Sequence, residues 1–207
     1  MEDLSAGGVV RTVCITTFRA EEQRQRHFAE RGVQADVYRA LHAEKLGLRT
    51  LNPYEVDAPG SGFNMGAKPT GIWLSHRALW AALELVPEDE ILILEEDAKF
   101  PEDWRERFDR ALRAAPADWD VLFLGACCTS GRPTRHVADQ VHEVQWPMCL
   151  QAYAVRRKAL RTMIETQDAA TCYGPIDITL TFHTFPKLRV YTVLPRIVDQ
   201  FDTDIPV

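Results

Sequence analysis

The sequence lacks the features that would place it in several large functional classes. Its 24 Lys and Arg residues are outnumbered by 30 Asp and Glu residues, which gives a formal charge of −6. This balance argues against a nucleic-acid partner, because duplex binding needs concentrated positive charge. No apolar run approaches the roughly 20 residues that a membrane-spanning helix needs, and residues 1–8 lack the apolar core of a signal peptide. We therefore expect a cytoplasmic protein without a membrane span.

Paired cysteines are also missing. The five cysteines are odd in number and none forms a CxxC pair, so the ligand spacing of a structural zinc site is absent. Cys14, Cys127 and Cys149 lie in or beside apolar runs, where a thiol packs as a small hydrophobic group. These observations predict a reduced protein, as is usual for cytosolic chains.

Three common catalytic motifs do not occur. No GxGxxG follows the first predicted strand, which disfavours a classical dinucleotide-binding fold. The chain contains no GxxxxGK[ST], so it is not a P-loop enzyme, and it contains no GxSxG nucleophile turn.

Strand-like and helix-like segments alternate along the chain. Strands are predicted at 9–15, 37–40, 91–94, 120–125, 141–144, 150–155 and 188–194, and helices at 20–31, 70–86, 101–115, 157–166 and from about 175. Thr70 is the expected cap of the second helix, with Ile72, Leu79, Leu83 and Val86 as its buried stripe. Alternation with short connections favours one α/β domain over residues 1–207, with a mainly parallel sheet and a flexible segment at 1–8. The Gly- and Pro-rich stretch Glu44–Lys68 is predicted to be a long functional loop.

The most informative stretch is the apolar run Ile91–Leu94, which is followed at once by Glu95, Glu96 and Asp97. Such a run is typical of a strand buried on both faces, and ligands of α/β sheets bind beyond the carboxyl ends of such strands. Strand alternation would place Glu95 and Asp97 on one side, where a hard divalent cation would relieve their repulsion. A charged turn after a strand explains the same residues equally well.

Six short motifs follow one another in the second part of the chain. They are Gly71-x-x-x-Ser75-His76, Leu94–Asp97, Asp118–Gly125, Ala152–Arg156, Pro175–Asp177, and Gln200 with Thr203–Ile205. In this order and spacing they resemble the family 25 glycosyltransferases, which include bacterial lipooligosaccharide galactosyltransferases and the collagen galactosyltransferase domain. The resemblance extends from about Val9 to Ile205.

Two departures from the family pattern affect donor recognition. The family's first strand usually ends in Asn-Leu-Asp followed by paired basic residues, whereas this chain has Ile15–Arg19. The middle acid of the triplet is Glu96 instead of Asp. These departures leave open the identity of the donor, and whether the chain is a catalytically silent relative that acts as a binding protein. A metal-dependent phosphohydrolase is a weaker alternative.

The resemblance implies a GT-A fold, a UDP-sugar donor carrying galactose or glucose, a carbohydrate or other hydroxyl-bearing acceptor, and transfer with inversion. It also implies Mn²⁺ or Mg²⁺, held by Asp97 and secondarily by Glu95, with His183, a tail aspartate (199, 202 or 204) or water as a further ligand. Asp177 is the predicted catalytic base, although a first-turn acid of this kind also stabilises a helix dipole. The predicted donor contacts are Thr16, Thr17, Arg19, Lys68, Ser75, His76 and Glu96. For most of them a structural or solvent-exposed role was the alternative.

Overall fold

The computed structural model describes residues 10–17, 21–46, 67–127, 134–168 and 174–201. The strands among them are β1 Arg11–Thr16, β2 Asp36–Arg39, β3 Glu90–Glu95, β4 Ala98–Lys99, β5 Val121–Phe123, β6 Thr134–Ala138, β7 Val141–Val144, β8 Ala152–Arg156, β9 Val190–Val193 and β10 Asp199–Gln200. The α-helices are α1 Glu21–Glu30, α2 Ala67–Leu83, α3 Trp104–Ala114, α4 Arg157–Thr166 and α5 Ile176–Thr179. A 3₁₀ turn occupies Glu44–Leu46, and α5 continues through a π-helical turn at Leu180–Thr184 into a 3₁₀ turn at Phe185–Lys187.

Eight strands form one central sheet in the order β2-β1-β3-β8-β5-β9-β7-β6. Six of the eight run in one direction, and only β8 and β7 are reversed. The α/β class and the mainly parallel sheet flanked by helices are therefore confirmed. The carboxyl ends of β1, β3, β5 and β9 meet the amino end of β8 along one side of the sheet, which we call the carboxyl edge.

Both faces of the sheet are buried. Ile91 and Ile93 point into a core formed with α2 and α4, whereas Leu92 and Leu94 point into a second core formed with α1 and α3. All four side chains are fully buried. Successive side chains of a strand point to opposite faces of the sheet. A strand covered on both faces therefore needs apolar residues at every position, which explains the uninterrupted apolar run of β3.

Helix α2 differs from its predicted form at its start and on its buried face. It begins at Ala67, three residues before the predicted cap Thr70. Pro69 is tolerated there because the first N–H groups of a helix have no intrahelical acceptor. Ile72 is exposed instead of buried, and the buried face is carried by the larger side chains of Trp73 and Trp80.

Strand β6 was not predicted. It forms an antiparallel hairpin with β7, and the turn between them contains Asp139 in the left-handed region, with a φ of 43°. The usual hairpin signal is Asn-Gly or Asp-Gly, whereas this turn is Asp139-Gln140, so the sequence carried no strong marker.

The expectation of reduced cysteines is wrong for one pair. Cys127 and Cys149 form a disulfide with a Cα–Cα distance of 5.6 Å. They lie 22 residues apart and meet because Cys127 pairs with Met148 in an isolated β-bridge. Cys14 is a buried thiol, as expected. Within the described ranges, none of the helices has the length and apolar character needed to cross a membrane.

Candidate functional site

The acid triplet lies at the carboxyl edge between β1 and β8. Strand β3 ends at Glu95, and Glu96 and Asp97 form a turn. On one side Ile15 of β1 is in register with Glu95. On the other side the backbone N–H of Glu95 donates to the carbonyl of Gln151, just before β8, at 2.9 Å. The triplet therefore occupies the place where ligands bind in α/β sheets.

Glu96 is bound to the end of β1. Its carboxylate accepts hydrogen bonds from the Thr16 hydroxyl at 3.0 Å, the Thr17 backbone N–H at 2.6 Å and the Thr17 hydroxyl at 2.8 Å. Three predicted donor contacts thus form one cluster. These bonds hold the two loops of the edge together.

Glu95 is connected to the interior through a chain of hydrogen bonds. Its Oε1 lies 2.9 Å from Nε2 of His76, and Nδ1 of His76 lies 3.1 Å from the Tyr153 hydroxyl. The indole N–H of Trp80 donates to the same hydroxyl at 2.8 Å. All of these groups are satisfied when Tyr153 donates to Nδ1 and a neutral His76 donates from Nε2 to Glu95.

Burial governs the ionisation of Tyr153, the buried phenol in this chain of hydrogen bonds. Tyr153 is fully buried, and burial, reinforced by the negative charge of Glu95, raises the pKa of its hydroxyl far above the ordinary value, although the Trp80 hydrogen bond opposes the shift. The phenol therefore keeps its proton at neutral pH and remains a donor. When it donates to Nδ1 of His76, Nε2 is the imidazole nitrogen that carries the N–H toward Glu95.

The Gly-x-x-x-Ser-His motif docks α2 against the chain that follows β2. A Cβ on Gly71 would lie 2.7 Å from the carbonyl oxygen of Leu41, so only glycine permits this approach. The Ser75 hydroxyl donates to the Gly71 carbonyl at 2.6 Å and accepts from the Leu41 N–H at 2.8 Å. Ser75 is buried, so both its hydrogen-bonding capacities serve the fold. Lys68 is exposed in the first turn of the same helix.

Asp97 bonds to residues at the end of the described chain. Its Oδ2 accepts from the Gln200 side-chain amide at 2.8 Å, and its carbonyl accepts from the Phe201 N–H at 2.9 Å. Strand alternation ends where the turn begins, and the carboxylates of Glu95 and Asp97 bond to different elements. Their placement on one side therefore stays a prediction. Part of the acidic tail does fold over the edge, since β10 pairs with β4 directly after the triplet.

Asp177 lies in the first turn of α5, half-buried. Its Oδ2 accepts from the backbone N–H of Cys149 at 3.3 Å, and its Oδ1 accepts from the N–H of Ile178 at 2.9 Å. Cys149 has a φ of 67°, which turns its N–H toward the carboxylate. Since Gln151 contacts Glu95 two residues later, the short segment Cys149–Gln151 separates Asp177 from the acid triplet.

Gln151 and Gly125 are site residues that were not singled out from the sequence. The buried side chain of Gln151 donates to the Gly125 carbonyl, and a Cβ on Gly125 would overlap the Val198 carbonyl. This contact joins β8 to the end of β5. The available signals were a polar residue directly before the apolar β8 and a glycine two residues after the end of β5.

Two surface hollows lie near β1. One, of about 510 Å³, lies between α1, the loop 32–35 and strands β1 and β2, and Thr16 lines its end nearest the carboxyl edge. Its volume lies in the range of small-ligand sites. The other, of about 450 Å³, is lined by residues that include Arg11 and Glu88. That hollow lies at the opposite edge of the sheet, away from the acid triplet Glu95–Asp97.

Some predicted site residues lie outside the described ranges, namely Arg19, Asp202, Asp204, and most of the Glu44–Lys68 loop. His183 is half-buried in the π-helical turn. Across the described part of the chain, no three His, Cys, Asp or Glu side chains converge on a point that could hold a metal ion. The metal ligands, Asp97 and Glu95 included, therefore stay predictions.

The chain is similar to curated proteins named as family 25 glycosyltransferases. It is 30% identical to a "Glycosyltransferase 25 family member" of Drosophila melanogaster, over 50% of this chain and 18% of that protein. It is 26% identical to "Inactive glycosyltransferase 25 family member 3" of Homo sapiens, over 59% of this chain and 21% of that protein. The chain thus spans about a fifth of the length of these relatives. The resemblance inferred from the ordered motifs is confirmed, although no protein-family model matches the sequence.

Similar solved structures are more distant. A glycosyltransferase involved in the glycosylation of the major capsid of PBCV-1 gives a TM-score of 0.47 at 11% identity, covering 88% of this chain and 81% of that one. A CMP:2-keto-3-deoxy-manno-octonic acid synthetase complexed with CTP gives a TM-score of 0.49 at 13% identity, covering 94% and 93%. Similarity at this level assigns no function.

Proposed function

We propose that this chain is a glycosyltransferase domain that moves galactose or glucose from a UDP-sugar to an acceptor hydroxyl, with inversion at the anomeric carbon. The observation that carries the proposal is the pair of carboxylate centres at the carboxyl edge. The acid turn Glu95–Asp97 lies on one side of the segment Cys149–Gln151, and Asp177 lies on the other side. Relatives named as glycosyltransferases support the same reaction class.

The donor phosphates are assigned to the acid turn through a divalent cation, Mn²⁺ or Mg²⁺. Cations of this type bind one or two protein carboxylates and complete their shell with substrate phosphates and water. The acid turn supplies two carboxylates of this kind, and we assign Asp97 as the first ligand and Glu95 as the second. Hydrogen bonds from Gln200 and His76 orient these carboxylates, as outer-shell partners do in metal sites. When bound, the cation would neutralise charge on the leaving diphosphate.

The residues around the acid turn would position the donor. The Thr16–Thr17–Glu96 cluster fixes the end of β1 beside the hollow of about 510 Å³, which is the space we assign to the nucleoside. Lys68 is exposed in the first turn of α2, about two turns before His76, which reaches Glu95. Lys68 would contribute positive charge toward phosphate.

Asp177 is assigned the role of base. Inversion requires the acceptor oxygen to attack the anomeric carbon from the face opposite the leaving group. The hydroxyl proton passes to Asp177 as the new carbon–oxygen bond forms and the bond to the diphosphate breaks. The half-buried carboxylate is held by the N–H groups of Cys149 and Ile178, so its orientation is fixed before the acceptor arrives.

The test is donor hydrolysis and transfer with a panel of UDP-sugars, with and without Mn²⁺. Asp97→Asn should abolish metal-dependent turnover and leave the fold intact. Asp177→Asn should reduce transfer by about 10²-fold or more and spare donor binding, which thermal stabilisation by the donor would report. Glu102→Gln is the matched control, since Glu102 is an acid with 88% side-chain exposure on the surface. Normal turnover in Asp97→Asn would refute the metal assignment.

A catalytically silent binding protein is the second candidate. Two observations favour it: curated relatives from human and mouse are named inactive, and Glu96 is fully engaged by Thr16 and Thr17. This candidate predicts donor binding without hydrolysis or transfer for any sugar in the panel. Absence of both donor binding and turnover would exclude the two candidates together.

A further inference from the structure

Two histidines face each other across the β6–β7 hairpin, at the end of the central sheet. His136 and His142 are register partners in this antiparallel pair, so their side chains lie on the same face of the sheet. Their ring centroids are 5.1 Å apart, with an angle of 70° between the ring planes. His136 is exposed and His142 is half-buried. The backbone pairing of two strands therefore holds two imidazoles side by side, within reach of solvent.

The separation of the rings suits two imidazoles bound to one metal ion. Imidazole nitrogens bind Zn²⁺ at about 2.0–2.1 Å, which places the centroids of two such rings on a tetrahedral ion roughly 5 Å apart. The observed distance of 5.1 Å agrees with this value. Rotation of the side chains is then enough to bring two nitrogens to one ion, and the strand register need not change.

His136 already makes the hydrogen bond that orients a metal-binding histidine. Its Nε2 lies 2.8 Å from the backbone carbonyl oxygen of Asp139. A carbonyl only accepts, so Nε2 carries the proton, and the neutral ring keeps a lone pair on Nδ1. Metal-bound histidines donate their second ring N–H to a carbonyl or carboxylate in the same way, which fixes the tautomer and the orientation of the ring.

His142 is available as the second nitrogen ligand. Partial burial, and then the neighbouring His136, lower the pKa of its imidazole, so the ring is neutral at pH 7 and offers a lone pair. The adjacent charges of the hairpin lie elsewhere. Arg135 and Glu143 form an ion pair with each other, and strand alternation places both on the opposite face of the sheet.

We propose that His136 and His142 form a binding site for Zn²⁺ or a similar nitrogen-preferring divalent ion, with water in the remaining coordination positions. Imidazole suits Zn²⁺, Cu²⁺ and Ni²⁺, whereas Mg²⁺ and Mn²⁺ prefer oxygen ligands. The site therefore differs in chemistry from the acid turn. It is also remote from that turn, because β8, β5 and β9 separate β7 from β3, which corresponds to roughly 19 Å at about 4.8 Å per strand.

The bound ion acts as a clip on the edge of the sheet. Strand β6 is the last strand of the central sheet and is attached to it through β7. An ion held by one histidine from each strand recognises the paired hairpin and not the unfolded chain. Binding therefore stabilises the folded protein as the Zn²⁺ concentration rises. This role does not depend on the proposed glycosyl transfer.

The test is isothermal titration calorimetry of Zn²⁺ into the untagged protein after treatment with EDTA and desalting, with Mn²⁺ as the comparison ion. His136→Ala and His142→Ala should each weaken Zn²⁺ binding by at least about 100-fold, because loss of an outer-shell partner alone costs roughly 10–100-fold. His42→Ala is the matched control, since His42 is a half-buried histidine outside the hairpin. Its Zn²⁺ affinity should equal that of the wild type.

NMR of the histidine rings locates the ion. Zn²⁺ should shift the ring C–H signals of two of the six histidines, and these should be the signals that disappear in His136→Ala and His142→Ala. Zn²⁺ should also raise the melting temperature of the wild type and of His42→Ala, but not that of the two hairpin variants. Circular dichroism in metal-free buffer checks that the variants fold. His142→Gln, which keeps most of the side-chain volume, should lose Zn²⁺ binding as well.

Three results would overturn the site. The first is an unchanged Zn²⁺ affinity in both hairpin variants. The second is a shift of other histidine rings alone. The third is Mn²⁺ binding at the same two rings with the affinity of Zn²⁺, which would contradict a nitrogen-preferring ion. Zn²⁺ binding that leaves the wild-type melting temperature unchanged would refute the clip.

Discussion

Nε2 of His76 lies 2.9 Å from Oε1 of Glu95 and joins the middle of helix α2 to the end of strand β3. The imidazole is almost completely buried, whereas the carboxylate is about one-fifth exposed. Glu95 therefore has one oxygen directed inward by a buried donor while the residue itself stays at the carboxyl edge. The Tyr153 hydroxyl lies 3.1 Å from Nδ1, on the other side of the ring.

Replacement of His76 should destabilise the fold. In His76→Ala, the fully buried Tyr153 hydroxyl loses its acceptor and Glu95 loses its donor. We expect the free energy of unfolding to fall by roughly 1–3 kcal/mol, measured by urea denaturation. His136→Ala is the control, since His136 is exposed in the hairpin. An unchanged urea midpoint for His76→Ala would show that these hydrogen bonds do not contribute to the free energy of unfolding.

Gly71→Ala should destabilise the protein although alanine favours helices. In an ordinary helical position this change stabilises by about 1 kcal/mol. Here the new Cβ would lie 2.7 Å from the Leu41 carbonyl, so α2 must shift, at a cost of about 1–3 kcal/mol. The change in melting temperature, measured by thermal unfolding, shows whether Gly71→Ala stabilises or destabilises the protein. Ser75→Ala should be destabilising as well, and the double variant should be less than additive because both changes disrupt one contact. A raised melting temperature for Gly71→Ala would contradict the close approach.

Removal of the Cys127–Cys149 disulfide should lower stability and transfer. A closed loop of 22 residues corresponds to about 3 kcal/mol in the chain-entropy description. We expect Cys127→Ser/Cys149→Ser to unfold at a lower temperature and to lose transfer more than donor binding, because Cys149 orients Asp177. Reductant should affect the wild type and leave the double variant unchanged. A wild-type melting temperature that does not respond to reductant would argue against the disulfide.

The protein should become less stable at alkaline pH because Tyr153 ionises more readily in the unfolded chain than in the folded chain. Burial raises the pKa of this phenol in the folded chain, whereas in the unfolded chain it ionises near pH ~10. Above that pH the unfolded state releases a proton that the folded state retains, so the free energy of unfolding decreases as pH rises. Tyr153→Phe should flatten this decrease, although it lowers stability at neutral pH. Tyr38→Phe, at a half-buried position in β2, should flatten it less. Identical pH slopes for Tyr153→Phe and wild type would refute the assignment.

Local sequence patterns determined most of the elements. The apolar run of β3 and the helices predicted at 101–115 and 157–166 are present as β3, α3 and α4. Each of these depends on the local pattern of side chains, which the sequence shows directly. The ordered motifs also identified the related family, because their spacing preserves the positions of elements along the sheet.

Contacts between distant segments were decided only by the tertiary structure. The sequence placed Glu95, Glu96 and Asp97 together, but the fold directs them to three partners: His76 of α2, the end of β1, and Gln200 of the tail. Likewise, no local pattern indicates that Cys127 bonds to Cys149, or that Cys149 turns its N–H to Asp177. Such contacts depend on strand order and on where each turn breaks the alternation. The sequence by itself thus determined which acids stand at the carboxyl edge, and the packing of the chain decided what each of them faces.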